Sequence, residues 1–266
     1  MIKIKTEREI ELMRQGGKIL AFVLGKVAQA VKPGVTTQSL NDLAEKLIAQ
    51  SGAAPAFLGH DGYPASLCTS VNEEIVHAIP SNRVLREGDI LGLDLGILWP
   101  PEKCGACPLS RGCGGQRGLN TDMAITVPVG RVSPEAQKLI DVAAGALNAA
   151  VAKIKPGRKL SEISKEIQRY VEKSGLTVIR ELIGHGIGYD LHEEPDIPNY
   201  HADWLKDAVL KEGMVLALEP MVSSGGWKIK KSKDKHGYET ADKSLSAHFE
   251  HTVAVTDRGA EILTRF

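Results

Sequence analysis

Apolar and polar positions along the chain alternate between two rhythms. Residues 6–31 carry apolar side chains at three- and four-residue spacing, which predicts a helix with one buried face. The stretch "TERE" opens it: Thr6 and Glu9 have the spacing of a capping box. "KPG" at Lys32–Gly34 stops it. A second helical run, "SLNDLAEKLIAQ", ends at Gly52. The rhythm then changes. "REGDILGLDLG" (86–96) is an apolar strand broken by one carboxylate, Asp94.

The same pattern returns further on. "SPEAQKLIDVAAGALNAAVAKI" (133–154) reads as a helix with Ser133 as N-cap and Pro134 in the first turn. "KPG" recurs at Lys155–Gly157, and the next helix ends at Ser174 and Gly175. The 22-residue stretches starting at Val31 and Ile154 align at an offset of 123, with apolar coincidences at Leu40/Ile163, Leu47/Tyr170 and Ile48/Val171. "KEGMVLALEPM" (211–221) parallels 86–96 and sets Glu219 against Asp94, 125 positions apart. "TDMAITVPVG" (121–130) parallels "FEHTVAVTDRG" (249–259) and sets Asp122 against Glu250, 128 positions apart. A period this long is not a solenoid repeat. It predicts one domain over 1–266, made of two halves, about 6–130 and 133–260, related by a pseudo-twofold axis.

Composition adds mainly exclusions. The chain has 266 residues, enough for a substantial core. Apolar residues make up 42 % and charged residues 25 %, ordinary proportions for a globular protein. Lys+Arg and Asp+Glu both total 33, so charge balance argues for neither a nucleic acid nor a membrane partner. No run of 18 apolar residues predicts a membrane span. The N-terminal "MIKIKTEREIELMRQ" lacks the apolar core of a signal peptide. A cytoplasmic protein with reduced thiols is therefore expected; it has four cysteines.

The chemistry lies in the paired acids. Asp94, Asp122, Glu219 and Glu250 sit in strongly apolar surroundings at corresponding places in the two halves. Four buried carboxylates in one site cannot all stay ionised without compensation. Two divalent cations would balance them. An oxygen-rich ligand set with one imidazole suits Mn²⁺, Fe²⁺ or Co²⁺, with Zn²⁺ also compatible, and disfavours a thiolate-type structural zinc site. A metal pair activates water for hydrolysis. "GHGIGYDLHEEP" (184–195) supplies the imidazole: His185, between Gly184 and Gly186. His192 follows seven positions later, a spacing that does not place both on one helix face.

With these residues assembled, the chain resembles the type I methionine aminopeptidases of the pita-bread fold, an α+β fold with antiparallel sheets covered by helices. The resemblance is carried by "GYPASLCTSVNEEIVHAIP" (62–80), "GDILGLDLG", "TDMAI", "GHGIGYDLHEEP", "LALEPMV" (216–222) and "SLSAHFEHTVAVTD" (244–257), and covers all but a segment near 97–120. It implies that Asp94 chelates one of two divalent metals, that Asp122 and Glu250 bridge both, and that His185 and Glu219 complete the other. It further implies that Glu219 acts as general base, His192 stabilises the oxyanion, and His77 positions the scissile nitrogen. Phe57, Tyr63 and Cys68 would build the side-chain pocket for methionine. Phe57 stands where the family commonly has a small thiol residue, and Leu191 where an aromatic residue usually precedes the second histidine. The pocket's last aromatic wall would come from Trp227 or Tyr238, and the run "KIKKSKDK" (228–235) reads as a solvated loop with a conceivable ribosome-facing role. The implied activity is removal of N-terminal methionine from nascent chains and peptides with a small second residue. A monomer with only transient ribosome contact is expected, and no membrane or specific nucleic-acid partner. The alternatives are a proline dipeptidase-like hydrolase of the same fold and an inactive pita-bread binding module.

The segment 97–120 departs from the family, since Asp94 and Asp122 stand 28 positions apart rather than about a dozen. Its cysteines, Cys104, Cys107 and Cys113, are spaced C-x2-C-x5-C. They are read as reduced thiols in a metal-free loop rimming the cleft; the alternative is a three-cysteine zinc site.

Overall fold

The computed structural model describes residues 1–101, 118–203 and 207–265. The cysteine segment, with Cys104, Cys107 and Cys113, lies outside the described residues. None of the described helices is long and apolar enough to cross a membrane.

Helix α1 (Glu7–Ala30) starts where the sequence predicts. The Thr6 side chain accepts from the Glu9 N–H, and the Glu9 carboxylate accepts from the Thr6 N–H. Its buried face, from Met13 through Leu20, Leu24 and Val27, follows the predicted spacing. α2 (Thr37–Gln50) is capped by Thr36. Two short strands, β1 (Ala54–Pro55) and β2 (Leu67–Val71), lead to β3 (Glu74–Val76) and then to the long strands β4 (Ile90–Trp99) and β5 (Leu119–Pro128). The second half opens with α3 (Pro134–Val151), capped by Ser133, and α4 (Leu160–Lys173). After it come β6 (Thr177–Val178), β7 (Ile183–Gly186), β8 (Glu193–Pro198), β9 (Val215–Leu218), β10 (Met221–Ser223), β11 (Ile229–Lys231), β12 (Tyr238–Thr240), β13 (Ser246–His248), β14 (Glu250–Thr256) and β15 (Gly259–Ile262).

Every strand pairing is antiparallel. The main sheet runs β1-β4-β5-β14-β9-β7-β8, with β2 on β4 and β15 on β14. Its centre reads the same when β4 exchanges with β9 and β5 with β14. The duplication extends to single hydrogen bonds. α2 and α4 match end for end at the predicted offset. Gly34 N–H donates to the Leu85 carbonyl and Gly157 N–H to that of Leu210, both at 2.9 Å. The turns that stop the helices use left-handed glycines at corresponding places: Gly34 and Gly157 at φ 89° and 85°, Gly52 and Gly175 at 69° and 76°.

Each half buries its own apolar core. Leu20, Leu24, Leu40 and Ile48 of α1 and α2 pack on Leu91, Leu93 and Leu95 of β4. Leu139, Ile140, Ile163 and Ile167 of α3 and α4 pack on Leu216, Leu218 and Val253. Each such fully buried side chain contributes roughly 1.5–3 kcal/mol. A third cluster, including Met13, Phe57, Tyr63, Cys68, Leu191 and Ala217, lies at the seam between the halves. It forms the apolar side of a cavity.

Candidate metal centre and active-site cavity

Sheet register assembles the acids. In antiparallel pairs, residues directly opposite point to the same face, as do residues two apart on a strand. Cys68 of β2 pairs with Asp94 of β4, Asp94 with Ala124 of β5, and Ala124 with Glu250 of β14. Thr252, two beyond Glu250, pairs with Ala217 of β9, and Ala217 with His185 of β7. Asp122 is two before Ala124. Hence Asp94, Asp122, Glu250 and His185 share one face of five neighbouring strands. The small residues between them, Ala124, Ala217 and Thr252, leave room above the sheet. Glu219 sits just past the end of β9, in the break before β10 that Pro220 imposes. Its carbonyl accepts from the Asn199 amide at 2.9 Å.

Two threonines splice β5 to its neighbours beside the acids, one to β14 and one to the end of β13. Thr252 Oγ1 donates to the Asp122 carbonyl at 2.8 Å and accepts the Asp122 N–H at 2.9 Å. Thr126 Oγ1 makes the equivalent pair of bonds with His248, both 2.9 Å. Each hydroxyl replaces a backbone ladder bond where the strands part, which fixes the acid-bearing backbone.

Three of the acids are buried, Asp94 at 8 % exposed, Asp122 at 4 % and Glu250 at 2 %, and the Glu219 side chain is largely covered, at 12 %. Burial pushes the Asp94 carboxyl up to about 6, with the Glu219 charge adding to it and His248 opposing. Burial also raises Asp122, Glu219 and Glu250 well above the ordinary carboxylate range, and the neighbouring acids push Asp122 and Glu250 further. Donor atoms of Asp122, His185 and Glu250 lie within 4.8 Å of one another. The buried Asp94 Oδ1 and Glu250 Oε1 have no hydrogen-bond partner among the described residues. Orphaned carboxylate oxygens in a crowd of like charges are what a cation would satisfy, and these residues fit one.

His185 is oriented for that role. Its Nδ1 lies 2.9 Å from the Gly186 carbonyl, which can only accept, so Nδ1 carries the proton. Nε2 keeps its lone pair, 3.5 Å from Glu219 Oε1 and 4.0 Å from Glu250 Oε1. Burial, reinforced by His192, depresses its pKa to about 3, so the ring is neutral. The flanking glycines, Gly184 and Gly186, serve strand packing. They are not in left-handed conformations and make no tight turn; they let strands approach. A Cβ at Gly184 would come 2.5 Å from the Ala217 carbonyl oxygen, and one at Gly186 2.2 Å from that of Glu194.

The acids floor a cavity of about 450 Å³. The structure brings every sequence-predicted site residue to it: Asp94, Asp122, His185, Glu219 and Glu250, with His77, His192, Phe57, Tyr63 and Cys68. The His192 ring meets that of His185 at 4.4 Å. His77 takes a left-handed conformation, φ 60°, unusual for a residue with a Cβ. Burial lowers its pKa to about 4. Phe57 packs against Gly96, where a Cβ would meet the ring at 2.5 Å. Leu191 lines the same wall. Tyr238, not Trp227, reaches the cavity, its ring 6.2 Å from that of His77. Trp227 instead stacks on Arg180, 5.5 Å away.

Sequence reasoning missed three histidines. His248 is buried with Nε2 3.4 Å from Glu219 Oε2. Its position two before Glu250 was the available signal, since nearby strand residues two apart share a face. His60 stacks edge-on against His192 at 5.3 Å, and His236 against Tyr63 at 5.7 Å. Both lie in turns, where no periodicity announces a direction. Nor is "KIKKSKDK" a purely solvated loop, because Lys231 and Lys235 line the cavity.

Residues 11–257 match the model of metallopeptidase family M24. The chain is 43 % identical over 265 residues to methionine aminopeptidase 1 of Bacillus subtilis, covering all of both chains. It is 45 % identical to a methionine aminopeptidase of Clostridium acetobutylicum, over 99 % of each. Among solved structures, it is similar to the methionine aminopeptidase of Rickettsia prowazekii, with TM-score 0.90, 39 % identity and full coverage of both chains.

Proposed function

The chain belongs to metallopeptidase family M24, and from that premise we infer that it is a methionine aminopeptidase of the pita-bread fold. It removes the N-terminal methionine of peptides and nascent chains whose second residue is small. The observation that carries this reading is the convergence of Asp122, His185 and Glu250 donor atoms within 4.8 Å, at the floor of a cavity walled by Tyr63, Cys68 and Phe57.

Two divalent ions, Mn²⁺, Fe²⁺, Co²⁺ or Zn²⁺, would be held by Asp94, Asp122, His185, Glu219 and Glu250. When bound they lower the pKa of a water and offset negative charge developing on the substrate. The remaining work falls to the chain. Glu219, buried beside this cluster, takes the proton of the attacking water. His192 donates to the carbonyl oxygen as it becomes an oxyanion. His77, held in its unusual backbone conformation, positions the scissile nitrogen. Tyr63, Cys68 and Phe57, with Leu191 and Tyr238, enclose the methionine side chain, where sulfur and aromatic atoms suit a flexible thioether. Tyr63 is fixed by its hydroxyl, which shares its proton between the carbonyls of Leu67 and Ala78 at 3.2 and 3.1 Å.

We read the chain as one catalytic domain, cytoplasmic and monomeric, with only transient ribosome contact. The exchange symmetry of the sheet and the seam position of the cavity support the single domain, because neither half holds all the ligands. The test is a substrate comparison with metal-loaded enzyme. Met-Gly-Met should be cleaved to free methionine, Met-Leu-Met far more slowly, and an Xaa-Pro dipeptide not at all. Preferential cleavage of the Xaa-Pro dipeptide would replace this reading with the prolidase one.

A further inference from the structure

We propose that the rim of the cavity is a cationic subsite for the peptide downstream of the scissile bond, formed by Lys231 and Lys235, which favours acidic side chains at the third and fourth substrate positions. The proposal rests on the aminopeptidase reading above. β11 and β12 pair with each other, Lys231 opposite Tyr238, and β12 pairs with β3, Tyr238 opposite Val76. This register suspends the hairpin turn 232–237 beside His77, the residue after β3. The turn is built to hold its place. The Asp234 carboxylate accepts from the N–H groups of Ile79, His236 and Gly237 at 3.1, 3.0 and 2.9 Å. Ser232 N–H donates to the Gly237 carbonyl at 2.9 Å.

The cations are therefore presented on a fixed turn rather than a free loop. Lys231 Nζ stands 4.1 Å from the Tyr238 ring centroid. His236 lies against Tyr63. Of the other lysines on and beside this hairpin, Lys230 pairs with Glu239 and Lys243 with Glu73 and Glu239, while Lys228 and Lys233 do not line the cavity. Among the described residues, neither Lys231 nor Lys235 forms an ion pair, although both line the cavity. Outside the metal-binding acids, Asp61 is the one carboxylate on the cavity wall among the described residues. An extended peptide advances about 3.3 Å per residue. With its amine end at the acid cluster, the residues after the small second one reach the rim, where ammonium groups that have no carboxylate partner among the described residues attract carboxylates.

The test compares kcat/KM for amidated Met-Gly-Asp-Ala and Met-Gly-Lys-Ala with metal-loaded enzyme at low salt. The wild type should favour the Asp peptide by about tenfold, two weak ionic contacts' worth, with the difference in KM. The preference should collapse in Lys231→Gln/Lys235→Gln and in about 0.5 M NaCl, where screening shortens the reach of charge. Equal rates for the two peptides in the wild type, or a preference that survives the double substitution, would overturn the subsite. No cleavage of either peptide would instead overturn the aminopeptidase reading on which it rests.

Discussion

The rings of His185 and His192 meet edge to face, centroids 4.4 Å apart and planes at 87°. One lies on β7 against the acids; the other immediately precedes β8 and faces the open cavity. The contact places a neutral ligand-type imidazole beside a ring free to meet substrate. His185→Ala is therefore expected to lose both metal and activity. His192→Ala should keep its metal by elemental analysis while kcat falls by roughly 10²–10³, the range for losing one oxyanion donor. Loss of metal along with rate in His192→Ala would show it to be a ligand.

Glu219→Ala and Asp122→Ala should each abolish hydrolysis in a protein that still folds. The acids occupy corresponding places in the two halves and contribute little to either apolar core. Circular dichroism and a peptide assay under controlled metal decide this. Near wild-type turnover in either variant would contradict the metal-centre reading.

The gain in Tm on adding Mn²⁺ to chelator-treated protein should grow as pH rises from about 5.5 to 7.5. Asp94 is raised from 3.8 to about 6 in the folded protein, and burial also holds the other three acids well above their ordinary values. Folding without metal thus takes up protons. The stability these groups contribute is complete below their unfolded values and is lost as pH climbs through the folded ones. Metal replaces the protons, so its benefit is largest where they are gone. A pH-independent gain would mean the cluster does not bind the metal.

Lys5 and Glu193 form a buried ion pair, with side chains 1 % and 4 % exposed. It ties the N-terminal segment to the residue next to His192. Lys5→Met should destabilise by about 3 kcal/mol in urea, because it strands a buried carboxylate. Lys3, 3.3 Å from Glu193, keeps the cost at the low end of the usual range. Adding Glu193→Gln should recover part of the loss; no recovery would mean the pair acts through packing alone.

Helix limits and acid positions were legible because they depend on local rules. Thr6 and Glu9 cap, KPG stops, and apolar strands frame Asp94 and Glu219. Pseudo-symmetry then coupled the halves without any knowledge of their contacts. What escaped was set by tertiary approach. Gly184 and Gly186 serve strand packing, where a Cβ would meet a neighbouring backbone carbonyl. His60 and His236 lie in turns whose direction only the assembled sheet fixes. Tyr238 outcompetes Trp227 because β12 pairs with β3, a register that the sequence of the hairpin does not encode by itself.

The most direct test of the account is a metal titration of chelator-stripped enzyme, followed both by elemental analysis and by release of methionine from Met-Gly-Met. The account predicts no turnover without metal, turnover that rises with bound Mn²⁺ or Co²⁺ up to about two equivalents for this four-carboxylate set, and neither binding nor turnover in Asp122→Ala. Turnover at the loaded rate in protein shown to be free of metal would contradict it.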